Sequence, residues 1–323
     1  MTMERQKRAL LIGIDHYASP PPPLGGCVND VNALIPLLAR NEDDSPNFDC
    51  RVLVSSDGQV TRSDILSAVD ALLAPGADMA LFYFAGHGRR KQGDVVLVAQ
   101  GSDPTDNGVA ASDLLTRIAE SQVREVTVLL DCCFSGAAGG IPQLRVEAAT
   151  LPNGTSFLTA TRNDQPAHES PDGRGAFSTY LCGALAGGAA DVLGAVSLAG
   201  VYAYLSESFG PWEQRPMFKA NVDRLTTLRV CAPSVPRHAL RWLPRLFPDP
   251  DVVYDLDPSY EPTAEPRNAD NEAIFAILQR CRASKLVDPV GAEHLYFAAM
   301  QNGGCRLTPL GKHYWRMAEA GRI

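Results

Sequence analysis

A histidine set between two glycines, Gly86-His87-Gly88, closes the apolar run Asp78–Ala85 (DMALFYFA). Forty-six positions later, Cys133 closes a second apolar run, Glu125–Leu130 (EVTVLL), inside the segment DCCFSG. A thiolate is the reactive form of cysteine, and an imidazole beside it takes the thiol proton and returns it to a leaving amine. The pair therefore has the chemistry to break an acyl bond. Both runs have the composition of buried strands, and reactive groups in parallel α/β sheets gather at the carboxyl ends of strands. The flanking glycines predict a sharp turn and an uncrowded imidazole. Gly86 or Gly88, together with the amide of Cys133, would supply donors for an oxyanion. Alternation along the strand separates the adjacent cysteines: Asp131 and Cys133 point one way and Cys132 the other. Cys133 is thus expected in the cleft and Cys132 in the core. Inert burial is the alternative for any one His or Cys, and their joint placement at consecutive strand ends argues against it.

These residues need a sheet to hold them. The first two thirds of the chain alternate strand-like and helix-like segments, which predicts an α/β domain with a mostly parallel sheet. Strands are expected at Arg8–Ile14, Asp49–Ser55, Asp78–Ala85, Glu125–Leu130 and Thr155–Thr161, with a short one at Asp94–Ala99 and a closing one near Leu225–Val230. Helices are expected at Asp30–Arg40, Ser112–Glu120, Phe177–Ala186 and Ser197–Ser208, and another to Leu73 that Thr61 and Asp64 open as a capping pair. Residues 231–268 hold eight of the 24 prolines, a density that predicts an extended connector. Two helical patterns (Asn271–Arg282 and Gly291–Met300) and the tail LTPLGKHYWRMAEAGRI then read as a small separate module.

At this point AGHG and DCCFSG resemble the catalytic dyad segments of the caspase and metacaspase clan of cysteine peptidases. LLIGIDHY followed by LGGCVNDV resembles the opening strand and first helix of metacaspase p20 regions. FLTATRNDQPAHE, GAFSTYLCGAL and QRPMF resemble the p10 region. The fold implied is α/β and caspase-like, a mostly parallel central sheet flanked by helices, plus a small helical or winged-helix-like C-terminal module. The division implied is a peptidase domain at 1–230 (p20-like 1–136, linker 137–153, p10-like 154–230), a connector at 231–268 and an interaction module at 269–323.

The resemblance implies a peptidase that cuts after Arg or Lys, with Cys133 as nucleophile, His87 as acid and base, and Gly88 and Cys133 as oxyanion donors. Cys27, Asp30 and Asp131 would line the pocket for the basic side chain, where carboxylates match a guanidinium. Asp30 has a second reading as a helix cap, and Asp131 as the orienter of a nearby amide. Ala85 stands where many metacaspases have Ser, and Phe134 where His is frequent. Calcium is often required by such enzymes, yet only Asp94, Asp103, Asp106 and Asp113 are scattered after His87, a poor set for a cation that takes six to eight oxygens. No cofactor is otherwise implied. Arg145, in QLRVE, is a candidate for self-cleavage or a surface Arg of an uncut loop. Activation by a partner protein or by self-cleavage, and a role in bacterial defence or regulated cell death, are implied by resemblance alone.

Composition narrows the rest. With 29 basic and 37 acidic residues the net charge is −8 and the pI about 5.3, which argues against a nucleic-acid partner held by a basic surface. Tyr314 and Trp315 read as core in preference to a base-stacking platform, although Lys312, His313, Arg316 and Arg322 give the tail a positive bias. Eight cysteines with no CxxC pair and no His at ligand spacing exclude a zinc site. No apolar run reaches the ~20 residues that cross a bilayer, so a cytoplasmic, membrane-free protein is expected. Two rivals stand beside the peptidase: a catalytically inactive scaffold, and a sensor-regulator whose tail binds a partner or DNA.

Overall fold

The computed structural model describes residues 6–17, 21–91, 94–101, 108–135, 151–160, 173–209 and 216–323, with the side chains of 90 and 133–135 left aside. Two compact units divide the chain: residues 1–190 with 195–231, and residues 191–194 with 232–323.

The first unit is built on an eight-stranded sheet. Its central order is β2 (Phe48–Val54), β1 (Lys7–Gly13), β3 (Met79–Lys91), β6 (Glu125–Ser135), β7 (Thr155–Thr159) and β9 (Met217–Asn221). Pairing is parallel from β2 to β7, and β9 closes the edge antiparallel to β7. Strands β4 (Asp94–Val98) and β5 (Gly108–Ala110) extend the far end of β3 as an antiparallel meander.

Helices cover both faces, and the strand sequences show why. Leu10, Ile12, Phe82, Phe84, Val128 and Leu130 pack on one face against α2 (Arg62–Leu72) and α3 (Ala111–Glu120). The alternating residues Ala9, Leu11, Leu81, Tyr83 and Leu129 pack on the other, against α1 (Cys27–Ala39), α4 (Ala176–Gly183) and α5 (Leu198–Ser208). A strand buried on both faces reads as a continuous apolar run, as RALLIGI and MALFYFA do. Full burial of each large aliphatic or aromatic side chain contributes ~1.5–3 kcal/mol.

Three expectations need correction. The apolar strands do not stop at Ala85 and Leu130: β3 runs through the GHG segment to Lys91, and β6 to Ser135. The glycines therefore do not turn the chain, because β4 and β6 carry the ladder onward from Gly88. The closing edge of the sheet is β9, whereas β10 (Arg229–Val230) pairs only with the two-residue β8 (Ala195–Val196) in a separate sheet.

Residues 231–268, lastly, are no extended connector; they form much of the second unit. Short helices α6 (Arg237–Leu240) and α7 (Leu243–Leu246) bury Ala239, Leu240, Leu243 and Leu246 in its core. The prolines punctuate these turns from positions that need no amide hydrogen: Pro236 at an N-cap, Pro244 and Pro258 within the first residues of helical turns. The rest of the unit is α8 (Ala269–Ala283), α9 (Leu295–Met300), α10 (Pro309–Glu319) and a small antiparallel sheet. That sheet has the order β11 (Tyr254–Asp255), β13 (Gly304–Leu307), β12 (Val287–Val290). The short α9 joins β12 to β13 where a wing would place a turn. Tyr314 and Trp315 lie in the core, and Trp315 Nε1 donates to the Phe247 carbonyl at 2.7 Å.

Candidate active site

His87 and Cys133 are register partners across the parallel pair β3–β6. The ladder fixes their meeting place. Strand β1 accompanies β3 only as far as Gly13 beside Ala85, and β4 takes up pairing at Gly88. On the other side, β7 accompanies β6 only to Thr159 beside Leu130. Both long strands thus outrun β1 and β7, and the register pair His87–Cys133 falls just past the point where those strands end.

The gap leaves the His87 amide without a strand partner, and a backbone N–H in a part-buried place needs an acceptor. Tyr17 supplies it: its hydroxyl oxygen accepts the His87 N–H at 2.9 Å. The Tyr17 ring also lies against the imidazole, with centroids 5.0 Å apart and planes at 57°. Gly86 makes this possible by close approach, since a Cβ there would stand 2.6 Å from the Tyr17 hydroxyl and 2.9 Å from the Phe84 ring. Burial pushes the Tyr17 hydroxyl pKa far above its usual value, so it stays protonated.

The imidazole itself is half-buried, and its Nε2 lies 2.7 Å from the carbonyl oxygen of Pro22. A carbonyl only accepts, so Nε2 carries the hydrogen and neutral His87 presents Nδ1 as its lone pair. The proline-rich loop after β1 thereby sets the tautomer.

Three buried carboxylates gather around Cys27. Asp15 is 6%, Asp30 3% and Asp131 3% exposed. Asp15 takes the amides of Cys27 (2.8 Å) and Val28 (3.1 Å), the cap that α1 lacks from its own Gly26. Asp30, one turn further along α1, does not cap that helix. Its Oδ1 accepts the Gly175 amide at 3.0 Å and the Ser178 hydroxyl, both at the start of α4. Asp131 Oδ2 accepts the buried Tyr83 hydroxyl at 3.3 Å. Cys27 is buried against all three acids. Burial first, and then the charges of Asp15, Asp131 and Asp30, push its thiol pKa far up.

Residues 6–224 match the model of the caspase domain, peptidase C14. The chain belongs to the caspase-domain family. Metacaspase-5 of Trypanosoma brucei brucei is 30% identical over 162 residues, 43% of this chain and 31% of the relative. Metacaspase-3 of Trypanosoma cruzi (strain CL Brener) is 27% identical over 163 residues, 45% of this chain and 44% of the relative. The match thus spans less than half the length of either curated relative. Among solved structures, protein GSU0716 of Geobacter sulfurreducens superposes with a TM-score of 0.52 at 16% identity, covering 70% of this chain and 99% of that one. That likeness shows the fold.

Within the caspase domain, the structure brings His87, Cys133, Gly88, Cys27, Asp30 and Asp131 to one end of the sheet. Gly88 follows the dyad by one step, between Leu97 and Phe134 in the ladders. Cys132 is 1% exposed in the core packed under α2 and α3, the place that strand alternation assigned to it. Arg145, Asp103 and Asp106 lie outside the described residues. Of the other scattered acids, Asp94 accepts from Ser112 and from the Val95 amide, and Asp113 pairs with Arg62 at 3.4 Å. No group of three His, Cys, Asp or Glu that could hold a metal occurs among the described residues. No helix among them is long and apolar enough to cross a membrane.

Tyr17, Asp15, Pro22 and Ser178 were not singled out from the sequence. Tyr17 and Asp15 sit inside the LLIGIDHY segment, and their adjacency to a motif was the one available signal.

Proposed function

We propose that the protein is a cysteine endopeptidase that cleaves peptide bonds after Arg or Lys. The observation that carries this reading is the register pairing of His87 with Cys133 where both strands have outrun their neighbours. In this mechanism, Nδ1 of His87 takes the thiol proton as the Cys133 sulfur attacks the scissile carbonyl carbon. The oxyanion so formed receives the backbone N–H groups of Gly88 and Cys133. His87 then gives its proton to the leaving amine, the C–N bond breaks, and a thioester remains. Water, deprotonated by His87, attacks that thioester; the carboxylic acid leaves and the thiol is restored. The Pro22 carbonyl holds the imidazole throughout, in the tautomer that each step needs.

The substrate side chain preceding the cut would enter beside Cys27, Asp30 and Asp131, where buried negative charge favours a cation. Self-cleavage near Arg145, activation by a partner, and a cytoplasmic role in defence or regulated death belong to the same proposal and rest on family resemblance.

Fluorogenic peptides ending in Arg, Lys or Asp test the reading against wild type and Cys133→Ala. Turnover of the Arg and Lys peptides, lost by at least about a thousandfold in Cys133→Ala, is the expected result. Wild type incubated alone should also give two fragments joined near Arg145, and the variant a single band. Preference for the Asp peptide would overturn the pocket; full activity of Cys133→Ala would overturn the nucleophile and favour a binding scaffold.

A further inference from the structure

Ser178 stands on the first turn of α4 with no exposed surface, and its hydroxyl reaches a carboxylate. Its hydroxyl donates to Asp30 Oδ1, and the same oxygen receives the Gly175 amide at 3.0 Å. The Ser178 oxygen also lies 3.0 Å from the Gly175 carbonyl, so its position is set by its own helix. The chain around it is pinned to α1: the Asn29 side-chain amide donates to the Gly173 carbonyl at 3.3 Å, and a Cβ on Gly26 would touch that carbonyl at 3.0 Å.

A carboxylate on a helix ordinarily swivels about its terminal torsion, which is broad. Two donors on one oxygen remove that freedom. Asp30 therefore meets an incoming cation already oriented, and the binding step need not order it.

We propose that Ser178 is the specificity-positioning residue of the basic-side-chain pocket, acting through Asp30. This rests on the reading of Asp30 as a pocket acid and adds to it the group that sets the acid's aim. Ser178 touches neither the nucleophile nor the scissile bond in this account, so its contribution is to binding. Removing it should raise KM and spare kcat, the signature of lost uniform binding.

The experiment uses the full chain and an Arg-terminated fluorogenic peptide, comparing wild type, Ser178→Ala and Ser178→Thr. Ser178→Ala is expected to raise KM about tenfold with kcat within about twofold, the scale of one hydrogen bond to a charged group. Ser178→Thr keeps the hydroxyl and should return KM to within about twofold of wild type. Alkylation of Cys133 by iodoacetamide, which needs no cationic pocket, should proceed at the wild-type rate in both variants. A fall in kcat at constant KM, or slowed alkylation, would assign Ser178 a merely structural role and overturn the inference. So would an unchanged KM in Ser178→Ala. If the Thr variant does not fold, the KM-against-kcat split of Ser178→Ala decides alone. Failure of wild type to prefer Arg and Lys peptides sinks the pocket itself, and that result is seen before any variant is measured.

Discussion

Strand β6 carries a buried acid at its start and another just past the end of its pairing with β7, and the two are held differently. At its start, Glu125 is 6% exposed, and both carboxylate oxygens accept the same Thr226 amide at 2.9 Å. Past that pairing, Asp131 is 3% exposed, and its Oδ2 accepts a phenol at 3.3 Å, with Asp30 and Asp15 gathered on the same cysteine. Glu125 meets a single amide in a closed arrangement that ties a loop to the sheet. Three carboxylates around one thiol are an arrangement that folding alone would avoid, since like charges brought out of water repel. On the proposed reading, the start of the strand serves stability and the Asp131 region serves a ligand that brings positive charge.

Neutralising each acid separates the two roles, and this is the largest effect expected in the comparison. Asp131→Asn and Asp30→Asn should each raise KM for an Arg-terminated peptide about tenfold to a hundredfold, because a desolvated cation loses its charged partner. Their melting temperatures should hold or rise, since a repulsive neighbour is gone. Glu125→Gln should do the opposite. Its amide group turns a donor toward the Thr226 N–H, at a cost of about 1–3 kcal/mol, while KM stays at the wild-type value. Equal losses of stability at both acids, with KM unmoved at Asp131, would erase the distinction.

Thiol chemistry sharpens the same contrast at intermediate scale. Burial pushes Cys50 and Cys182 up to about 11, and Cys281 and Cys305 up to about 12; it drives Cys27 higher still. A raised thiol pKa keeps the group protonated below that value, so each of these is unreactive through neutral pH and titrates only well into the alkaline range. Burial also raises the Cys231 thiol, and Cys132 is 1% exposed, so native protein at pH 7.5 should incorporate one equivalent of iodoacetamide, and Cys133→Ala essentially none. Labelling at several sites in the folded protein would show that burial does not protect the others.

Much of this was legible in the sequence because it is local. The runs RALLIGI, MALFYFA and EVTVLL announce strands buried on two faces, and Thr61 with Asp64 announces the capping box that opens α2. The pairing of His87 with Cys133 was legible through the glycines, though for a reason the sequence does not state: Gly86 admits Tyr17, 69 positions upstream, and does not bend the chain. What stayed hidden is long-range. Asp15 caps a helix that begins 12 residues later, and Ser178 donates to an acid 148 residues away. No periodicity encodes such pairs. The proline-rich stretch misled for a related reason, since proline counts do not say whether each ring falls at a helix start, where its missing hydrogen is harmless. The edge strand β9, only five residues with a lysine inside, had no alternation strong enough to announce itself.

The smallest expected effect probes how the stable and reactive ends are joined at His87. Tyr17→Phe removes the acceptor of the His87 amide and should lower kcat about threefold to tenfold, leaving KM alone, because the imidazole loses a fixed backbone. Gly86→Ala places a methyl 2.6 Å from the Tyr17 hydroxyl, closer than real side chains approach, and should cost about 1–3 kcal/mol with a matching loss of kcat. Combined, the two changes should be less than additive. With the hydroxyl gone, the new methyl loses its closest clash and keeps the one with the Phe84 ring at 2.9 Å, so part of the strain disappears. A double-mutant cycle on kcat and on melting temperature reads this coupling directly. Strict additivity would mean that Tyr17 and Gly86 act on His87 independently, and that the close approach between them does not hold the imidazole in place.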